Sequence, residues 1–330
     1  MKILIVMNYR PNRGGVTDQV LELIQELEKE NVTFTIVSTH GRKINRIFNS
    51  FRALWIASRH DLVFGIGSAF WGFIPCIIAS LAARLNRKPI LFNFHDGQAQ
   101  IFLDKYGKLV NKVIGKNKIV CATKFVANSF LEKNINAVNI PYHFKFEPNF
   151  YLRKKTFQWN KKVIWARSFY ELYHPELALK AASMVLKVDS EFEFHFYGEG
   201  PMLEEMKNKY QQTNIIFHGF LQRSEFLKNY ENFAIMINTT CYDNFPLSIV
   251  EAGYNELCVL STRVGGIESI YSESELLFFK GENELAEKLL AVTQDYKGHN
   301  YFRFNLKKKV CTFTWYNVKA DWLKLIKSSC

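Results

Sequence analysis

The sequence predicts an α/β protein made of two doubly wound, Rossmann-like domains that face each other across a cleft. Short apolar runs that fit strands alternate with amphipathic helical patterns along almost all of the 330 residues. The runs are apolar on both faces, as expected for parallel strands covered by helices on each side. The alternation breaks once near the middle and then resumes. The chain length also suits two domains of ordinary size.

The first half of the sequence contains five runs that we predict to be strands. Helical patterns lie between them, such as TDQVLELIQELEKE at 17–30, where apolar residues recur every three or four positions. The stretch 140–162 has two prolines, scattered aromatic residues and no period, so we interpret it as the linker. We therefore place the first domain at residues 1–150. The five predicted strands are residues 2–7, 34–38, 61–66, 89–94 and 124–128.

The second half repeats the alternation and ends in a helix. We place the second domain at 151–310 and predict an amphipathic helix in the closing segment, 311–330. Because doubly wound sheets bind ligands at the carboxyl ends of their strands, we expect the functional site there. The predicted strands of this half are residues 163–166, 193–197, 214–219, 233–238, 258–262 and 276–279.

Composition excludes several classes of protein. The six cysteines are scattered without a Cys-x-x-Cys pair, which argues against a disulfide framework or a zinc site and favours a reducing cytosol. The apolar run after Lys2 is too short for a signal peptide. The most apolar stretch, 66–85, is diluted by Gly72 and Pro75, so we predict a buried segment and not a membrane span.

Positive charge is concentrated in the first half of the chain. The net charge is +12 overall, of which +10 falls within residues 1–150. The segment 41–60 mixes arginine and lysine with isoleucine, phenylalanine and tryptophan, a composition that suits an anionic membrane surface or a phosphate-bearing partner. A solvated helix with one core face explains it equally well. We do not expect nucleic acid as a partner, because no recognition motif accompanies the charge.

Two acids flank a predicted helix start in YDNFPLSIVEAGYNE, residues 242–256. Pro246 suits the first helical turn, and the free N–H groups around Leu247 and Ser248 can hold a phosphate. Asp243 and Glu251 would repel phosphate, so hydroxyl groups are their natural targets. A nucleotide-sugar, with a diol at each end and phosphates in the middle, has that shape. On spacing alone, a helix cap at Asp243 and a surface acid at Glu251 explain the pattern better.

The stretch DNFPLSIVEAGYNELCVLSTRVGGIESI, residues 243–270, resembles the donor-binding signature of retaining glycosyltransferases of the GT-B fold, family 4 (glycosyltransferases group 1). That signature has an acid, seven residues, Glu-Ala, a strand and a Gly-Gly turn. Seven further resemblances follow the family's order along the whole chain. They are GGVTDQV (14–20), FHD (94–96), ANSFLEKN (127–134, a serine-led helix start), VIWARS (163–168), YGEGP (197–201), FHGFL (217–221) and the final FTW helix, which in the family crosses back to the first domain.

The resemblance implies a role for each matched residue. Arg167 would grip the donor diphosphate, because a guanidinium binds phosphate bidentately. His95 would face the reacting centre, while the pair Gly14 and Gly15 would let a backbone pass close to the phosphates or the acceptor. Without the resemblance, a strand-end arginine, a structural histidine and an ordinary turn remain open. The implied catalytic residues are His95, Arg167 and Asp243, and the implied donor-binding residues are Gly14, Gly15, Arg167, Asp243, Asn244, Phe245, Pro246, Leu247, Ser248 and Glu251.

Three positions depart from the family pattern. Asp243 stands where glutamate is usual, which shortens its reach by one methylene. Residues 172–174, Leu-Tyr-His, replace the usual Lys-Gly, so one diphosphate cation is missing, with His174 as a candidate substitute. Ile-Glu-Ser follows the Gly-Gly turn, where Pro-Glu is usual. These departures leave open whether activity is weakened.

We therefore expect a retaining glycosyltransferase of the hexosyltransferase class. It would move a sugar from a nucleotide-diphosphate donor, with UDP favoured, to an acceptor hydroxyl in polysaccharide, lipopolysaccharide or lipid-linked glycan synthesis. The resemblance implies no metal and no cofactor, and the sequence has no Asp-x-Asp. We expect a cytoplasmic protein that lies peripherally on the inner face of an anionic membrane.

Other functions stay open at this point. A GT-B sugar-nucleotide epimerase would share the fold and the donor. A non-catalytic nucleotide-sugar-binding module would be consistent with the missing lysine. An NAD enzyme is disfavoured, because no Gly-x-Gly-x-x-Gly follows a strand.

Overall fold

The computed structural model describes residues 1–9, 15–41, 43–145, 159–221, 225 and 229–330, with only the backbone described at 43–45 and 296–298. The chain divides into two units. Unit 1 comprises Met1–Glu147 and Phe313–Cys330, and unit 2 comprises Pro148–Thr312. Gly14 and residues 146–158 of the predicted linker lie outside the described residues.

Unit 1 contains a parallel sheet that has six strands among the described residues. Its strands are β1 (Lys2–Met7), β2 (Thr33–Ser38), β3 (Leu62–Gly67), β4 (Ile90–Phe94), β5 (Ile119–Cys121) and β6 (Ala137–Asn139). They lie in the order β2-β1-β3-β4-β5-β6, and every neighbouring pair is parallel. The helices between them are α1 (Gly15–Glu28), α2 (Lys43–Ile56), α3 (Ile74–Leu85), α4 (Ala99–Ile114) and α5 (Lys124–Leu131).

Both faces of this sheet are buried, which explains why its strands are apolar throughout. In β1, Leu4 and Val6 pack into a core formed with α2, α3, α4 and α5. Ile3 and Ile5 point to the opposite face and pack against α1. The strands are therefore apolar on both faces because helices cover both sides of this parallel sheet.

The C-terminal helix, Trp315–Ser329, belongs to unit 1 although it follows unit 2 in the chain. Its buried stripe joins the core on the α1 side of the sheet, where the Trp322 ring meets Phe64 edge-on at 6.2 Å between centroids. Each such buried side chain contributes about 1.5–3 kcal/mol. The stripe consists of Val318, Trp322, Leu325 and Ile326.

Unit 2 contains a second parallel sheet that also has six described strands. They are β7 (Lys162–Ala166), β8 (Glu193–Tyr197), β9 (Ile215–Gly219), β10 (Ile235–Asn238), β11 (Cys258–Thr262) and β12 (Leu277–Phe279), in the order β12-β11-β10-β7-β8-β9. The described helices are α6 (Pro175–Val188), α7 (Leu203–Lys209), α8 (Leu247–Tyr254), α9 (Gly265–Ile270), α10 (Glu282–Gln294) and α11 (Tyr296–Val310). The two parallel sheets with covering helices confirm the predicted fold class.

One predicted strand, 124–128, is wrong, because these residues begin helix α5. The hydroxyl of Thr123 accepts a hydrogen bond from the Val126 N–H at 3.3 Å and caps the helix. The strand of this region is the three-residue β5 just before it. The helix start matched at 127–134 is likewise displaced, since Ser129 lies inside α5 and donates to the Phe125 carbonyl. The cap at Thr123 therefore makes this segment helical, although its apolar run suggested a strand.

The apolar stretch 66–85 is divided among three elements. It contains the end of β3, a 3-10 turn at Phe70–Phe73 and helix α3. In the described parts of the chain, no helix combines the length and the apolar character needed to cross a bilayer.

Candidate active site

Strands β7 and β10 mark the point where the strand order of unit 2 reverses. From β7 the chain moves outward through β8 and β9, and it returns to place β10 on the other side of β7. The loops that leave the carboxyl ends of these two strands diverge, and ligands of doubly wound sheets bind in the crevice between them. Arg167 directly follows β7, and the loop 239–246 directly follows β10.

The guanidinium of Arg167 is held in one orientation by the end of β10 and the loop after it. Its Nη2 lies 2.6 Å from Asp243 Oδ2, and its Nε donates to Asn238 Oδ1 at 3.1 Å. The Arg167 and Asp243 side chains are each only 14% exposed. Nη1 makes no hydrogen bond to any described residue. The arginine is thus fixed but keeps donors for a ligand.

Two glycines bring neighbouring turns against these loops. A Cβ at Gly198, in the YGEGP turn, would lie 2.0 Å from the carbonyl oxygen of Arg167. A Cβ at Gly266, in the Gly-Gly turn that begins α9, would lie 1.7 Å from the carbonyl oxygen of Asn244. The Gly266 N–H also donates to the carbonyl oxygen of Asp243 at 2.9 Å. Both matched glycine turns therefore buttress the backbone of the Arg167–Asp243 pair.

Buried threonine hydroxyls join the two loops to each other. Thr239 Oγ1 accepts from Trp165 Nε1 at 2.9 Å and donates to the Tyr173 carbonyl at 2.7 Å. The Cys241 N–H donates to the Leu172 carbonyl at 2.8 Å. Because buried polar groups that are fully bonded specify one arrangement, the loops after β7 and β10 behave as one rigid frame.

Helix α8 begins beside this frame. Pro246 is its N-cap residue with extended backbone, so the helix starts at Leu247, one residue later than the sequence suggested. The Ser248 hydroxyl oxygen is buried and has no hydrogen-bond partner among the described residues. The N–H groups of a first helical turn carry partial positive charge. This end of α8 therefore offers an anion both backbone and hydroxyl donors.

Two tyrosines accompany the acids of the site. The Tyr230 hydroxyl is 3.4 Å from Glu251 Oε2. The Tyr271 hydroxyl is buried and unpartnered among the described residues. Burial, with the nearby negative charges of Asp243 and Glu275, raises the pKa of Tyr271, so it remains a neutral donor. The acids therefore lie among groups that favour hydrogen bonding over proton transfer.

Comparison with known proteins identifies the class of this site. A sequence model of the family described as "Glycosyl transferases group 1" matches residues 160–295, which contain the whole frame. A Campylobacter jejuni protein, GalNAc-alpha-(1->4)-GalNAc-alpha-(1->3)-diNAcBac-PP-undecaprenol alpha-1,4-N-acetyl-D-galactosaminyltransferase, is 24% identical over 96% of this chain and 95% of its own. The chain is a glycosyltransferase of the GT-B fold, and its residues 160–295 match the group 1 family.

Two further matches agree with this assignment, one by sequence and one by fold alone. The Staphylococcus aureus poly(ribitol-phosphate) alpha-N-acetylglucosaminyltransferase is 26% identical over 46% of this chain and 32% of its own. The crystal structure of Anabaena Alr3699/HepE in complex with UDP and glucose superimposes with a TM-score of 0.78 and 12% identity, covering 99% of each chain. At that identity the structural match concerns the fold alone.

In unit 1 of the enzyme, His95 follows β4 and is buried. Its Nδ1 bonds the Tyr142 hydroxyl, and the two rings stack with centroids 5.3 Å apart. Burial lowers the pKa of His95 to about 3, so the ring is neutral. Its Nε2 has no partner among the described residues. Gly15 begins α1, whereas Gly14 lies outside the described residues.

The residues that replace the family's Lys-Gly have other surroundings. The Tyr173 ring lies 5.3 Å from the Arg167 guanidinium carbon, a cation–π contact. His174 is exposed, has left-handed backbone with φ 48° and caps α6. Among the described residues, no group of three or more His, Cys, Asp or Glu is arranged to hold a metal ion.

Sequence reasoning did not single out several residues of the frame. Asn238 and Thr239 are fully buried at the end of β10, and Tyr230 contacts Glu251 from a distant part of the chain. A polar triplet, Asn-Thr-Thr, directly after the apolar run of β10 was the available signal for the first two. No local signal marks Tyr230.

Proposed function

We propose that the enzyme is a retaining glycosyltransferase of family 4 that transfers a sugar from a UDP-sugar to an acceptor hydroxyl. The observation that carries this proposal is the Arg167 guanidinium, which Asp243 and Asn238 hold at the switch point of unit 2. Catalysis of this kind depends on positioning and on charge stabilisation at the leaving diphosphate.

The donor diphosphate would bind between Arg167 and the first turn of α8. Arg167 Nη1, the Ser248 hydroxyl and the N–H groups near Leu247 are donors of the kind that phosphate oxygens accept. Asn244, Phe245 and Pro246 would line the sugar and phosphates through their backbone. We propose that these groups make the reaction independent of a metal and of any cofactor, because they neutralise the departing charge.

The acids would bind the two polyol ends of the donor. Glu251, near Tyr230, would accept hydrogen bonds from the ribose diol, at about 1.5–3 kcal/mol for each charge-assisted bond. Asp243 would contact hydroxyls of the transferred sugar while it orients Arg167. His95, whose ring is neutral, would contact the sugar or the acceptor. The two carboxylates would thus bind hydroxyl groups of the donor, and the Arg167 cation would bind its diphosphate.

Retention and the acceptor are supported by the names of the curated relatives. Both names specify alpha linkages, and an alpha product formed from an alpha-linked nucleotide-sugar is retention. One name describes an undecaprenol diphosphate glycan and the other poly(ribitol-phosphate). We propose a lipid-linked or polymeric glycan acceptor and a cytoplasmic enzyme bound peripherally at the inner membrane face.

A donor panel tests the proposal. Thermal shifts with UDP, GDP and ADP sugars identify the bound nucleotide, and proton NMR of the anomeric signal then follows transfer to an acceptor glycan. We expect stabilisation by UDP-sugars and an alpha product, both weakened in Arg167→Ala. An inverted product contradicts retention. Donor isomerisation without acceptor indicates an epimerase, and binding without turnover indicates a binding module.

A further inference from the structure

Helix α2 is apolar on two opposite faces. One face is buried in unit 1 through Ala53 and Ile56. On the other side, four large apolar side chains, which we call the α2 ridge, are exposed, and three of them repeat every four residues. A helix of a globular protein needs only one apolar face. The ridge consists of Ile47, Phe48, Phe51 and Trp55, exposed by 59%, 69%, 66% and 67%.

Helix α3 runs beside α2 in the same direction and extends the exposed apolar surface. At the carboxyl ends, Asn86 Nδ2 donates to the Leu54 carbonyl at 2.7 Å. At the amino ends, residues of both helices, including Ile47 and Ile74, line an open groove of about 280 Å³. Leu85 of α3 is 70% exposed. Several large exposed apolar side chains on two neighbouring helices indicate an interaction site.

The ridge lies in a part of the chain that is almost free of negative charge. Residues 31–95 contain eight arginines and lysines and one acid, Asp61. Asp61 accepts a hydrogen bond from the Lys2 N–H at 2.7 Å. Arg52 is exposed on α2, and the Arg59 guanidinium lies 4.6 Å from the centre of the Trp55 ring. Aromatic side chains flanked by cations suit the interface of an anionic bilayer.

We infer that the α2 ridge inserts into the headgroup region of an anionic phospholipid bilayer. This inference rests on the membrane location proposed above and names the surface responsible. A second copy of the chain is a poorer partner, because a two-fold contact would bring the same cations together across the interface. The bilayer instead offers apolar depth for the ridge and negative charge for Arg46, Arg52 and Arg59.

Cosedimentation with vesicles tests the surface. The full chain should bind phosphatidylglycerol-containing vesicles and bind phosphatidylcholine vesicles far less. Its binding to the anionic vesicles should weaken as NaCl rises from about 50 to about 300 mM. Phe51→Ser with Trp55→Ser should reduce binding at least about 30-fold. Arg46→Gln with Arg52→Gln should reduce it about 25-fold and diminish the salt dependence. The matched control, Val188→Ser with Tyr316→Ser, removes side chains exposed by 73% and 88% and should bind as wild type.

The outcomes separate this inference from the proposed function. Equal vesicle binding by the ridge variant overturns the ridge while the membrane location stands. If the wild type does not bind anionic vesicles, both the insertion of the ridge and the membrane location are wrong. A dimer that the ridge variant converts to monomer in light scattering also overturns the inference, since it makes a second copy the occupant. The thermal shift with UDP reports the donor site and the folding of each variant independently.

Discussion

The Gly266→Ala substitution tests whether close packing of the Gly-Gly turn sets the geometry of the donor site. Gly266 lacks left-handed backbone, so any effect arises from contact alone. The added Cβ would lie 1.7 Å from the carbonyl oxygen of Asn244, although real Cβ atoms essentially never approach another atom within 3.0 Å. The loop that carries Asp243 and Asn244 must therefore move by about 1.3 Å.

The displacement predicts separate effects on stability and on catalysis. Overpacking of this size costs about 1–3 kcal/mol of unfolding free energy. Misplacement of a catalytic constellation by about 1 Å can lower the rate about 100-fold. We therefore expect Gly266→Ala to remain folded, to lose about two orders of magnitude in kcat/KM and to bind UDP-sugar weakly. Transfer assays and urea titrations on the same preparation measure both.

Gly281→Ala serves as the matched control. Gly281 has extended backbone, and a Cβ there meets nothing within 4 Å, although the residue caps α10. We expect a stability change within about 1 kcal/mol and unchanged transfer. If Gly266→Ala transfers sugar as fast as this control, the turn does not position the loop.

Three further substitutions probe the remaining groups of the site. Arg167→Lys keeps the charge but cannot bond Asp243, Asn238 and a phosphate at once, so kcat/KM should fall about 10- to 100-fold; unchanged kinetics would show that a point charge suffices. Glu251→Ala should weaken UDP about 10- to 100-fold and 2′-deoxy-UDP much less, by calorimetry; equal losses for both nucleotides argue against a ribose contact. For His95, a pKa lowered to about 3 means that the unfolded chain binds the proton first as pH falls. Wild type should lose about 2 kcal/mol of unfolding free energy through His95 between about pH 7 and about pH 5, and urea titrations of His95→Asn should lack this loss; parallel pH profiles would contradict it.

The fold was predictable because its dominant signal is local. A buried parallel strand must be apolar on both faces, and ten of the eleven runs predicted as strands are strands in the structure. The exception, 124–128, is apolar because α5 packs into the core, and the Thr123 cap that decides its conformation lies outside the run. The three-residue strands β5 and β6 were missed because they are too short to show a period.

The site was predictable only in part, because its geometry depends on contacts between distant residues. The sequence placed Arg167 at a strand end and Asp243 in the loop before a helix, yet their ion pair joins positions 76 residues apart. Gly266 could be matched to a motif, but glycine is needed there because the backbone of Asn244 lies too close for a side chain. Tyr230 approaches Glu251 for the same kind of reason. The assigned roles of these residues toward donor and acceptor stay predictions.

Calorimetric titration of UDP and UMP into wild type and Arg167→Ala measures whether Arg167 binds the second phosphate, since the two nucleotides differ only in that group. We expect wild type to bind UDP at least about tenfold more tightly than UMP and Arg167→Ala to lose most of this difference. Equal preference for UDP in both proteins would show that the guanidinium held by Asp243 is not the diphosphate site.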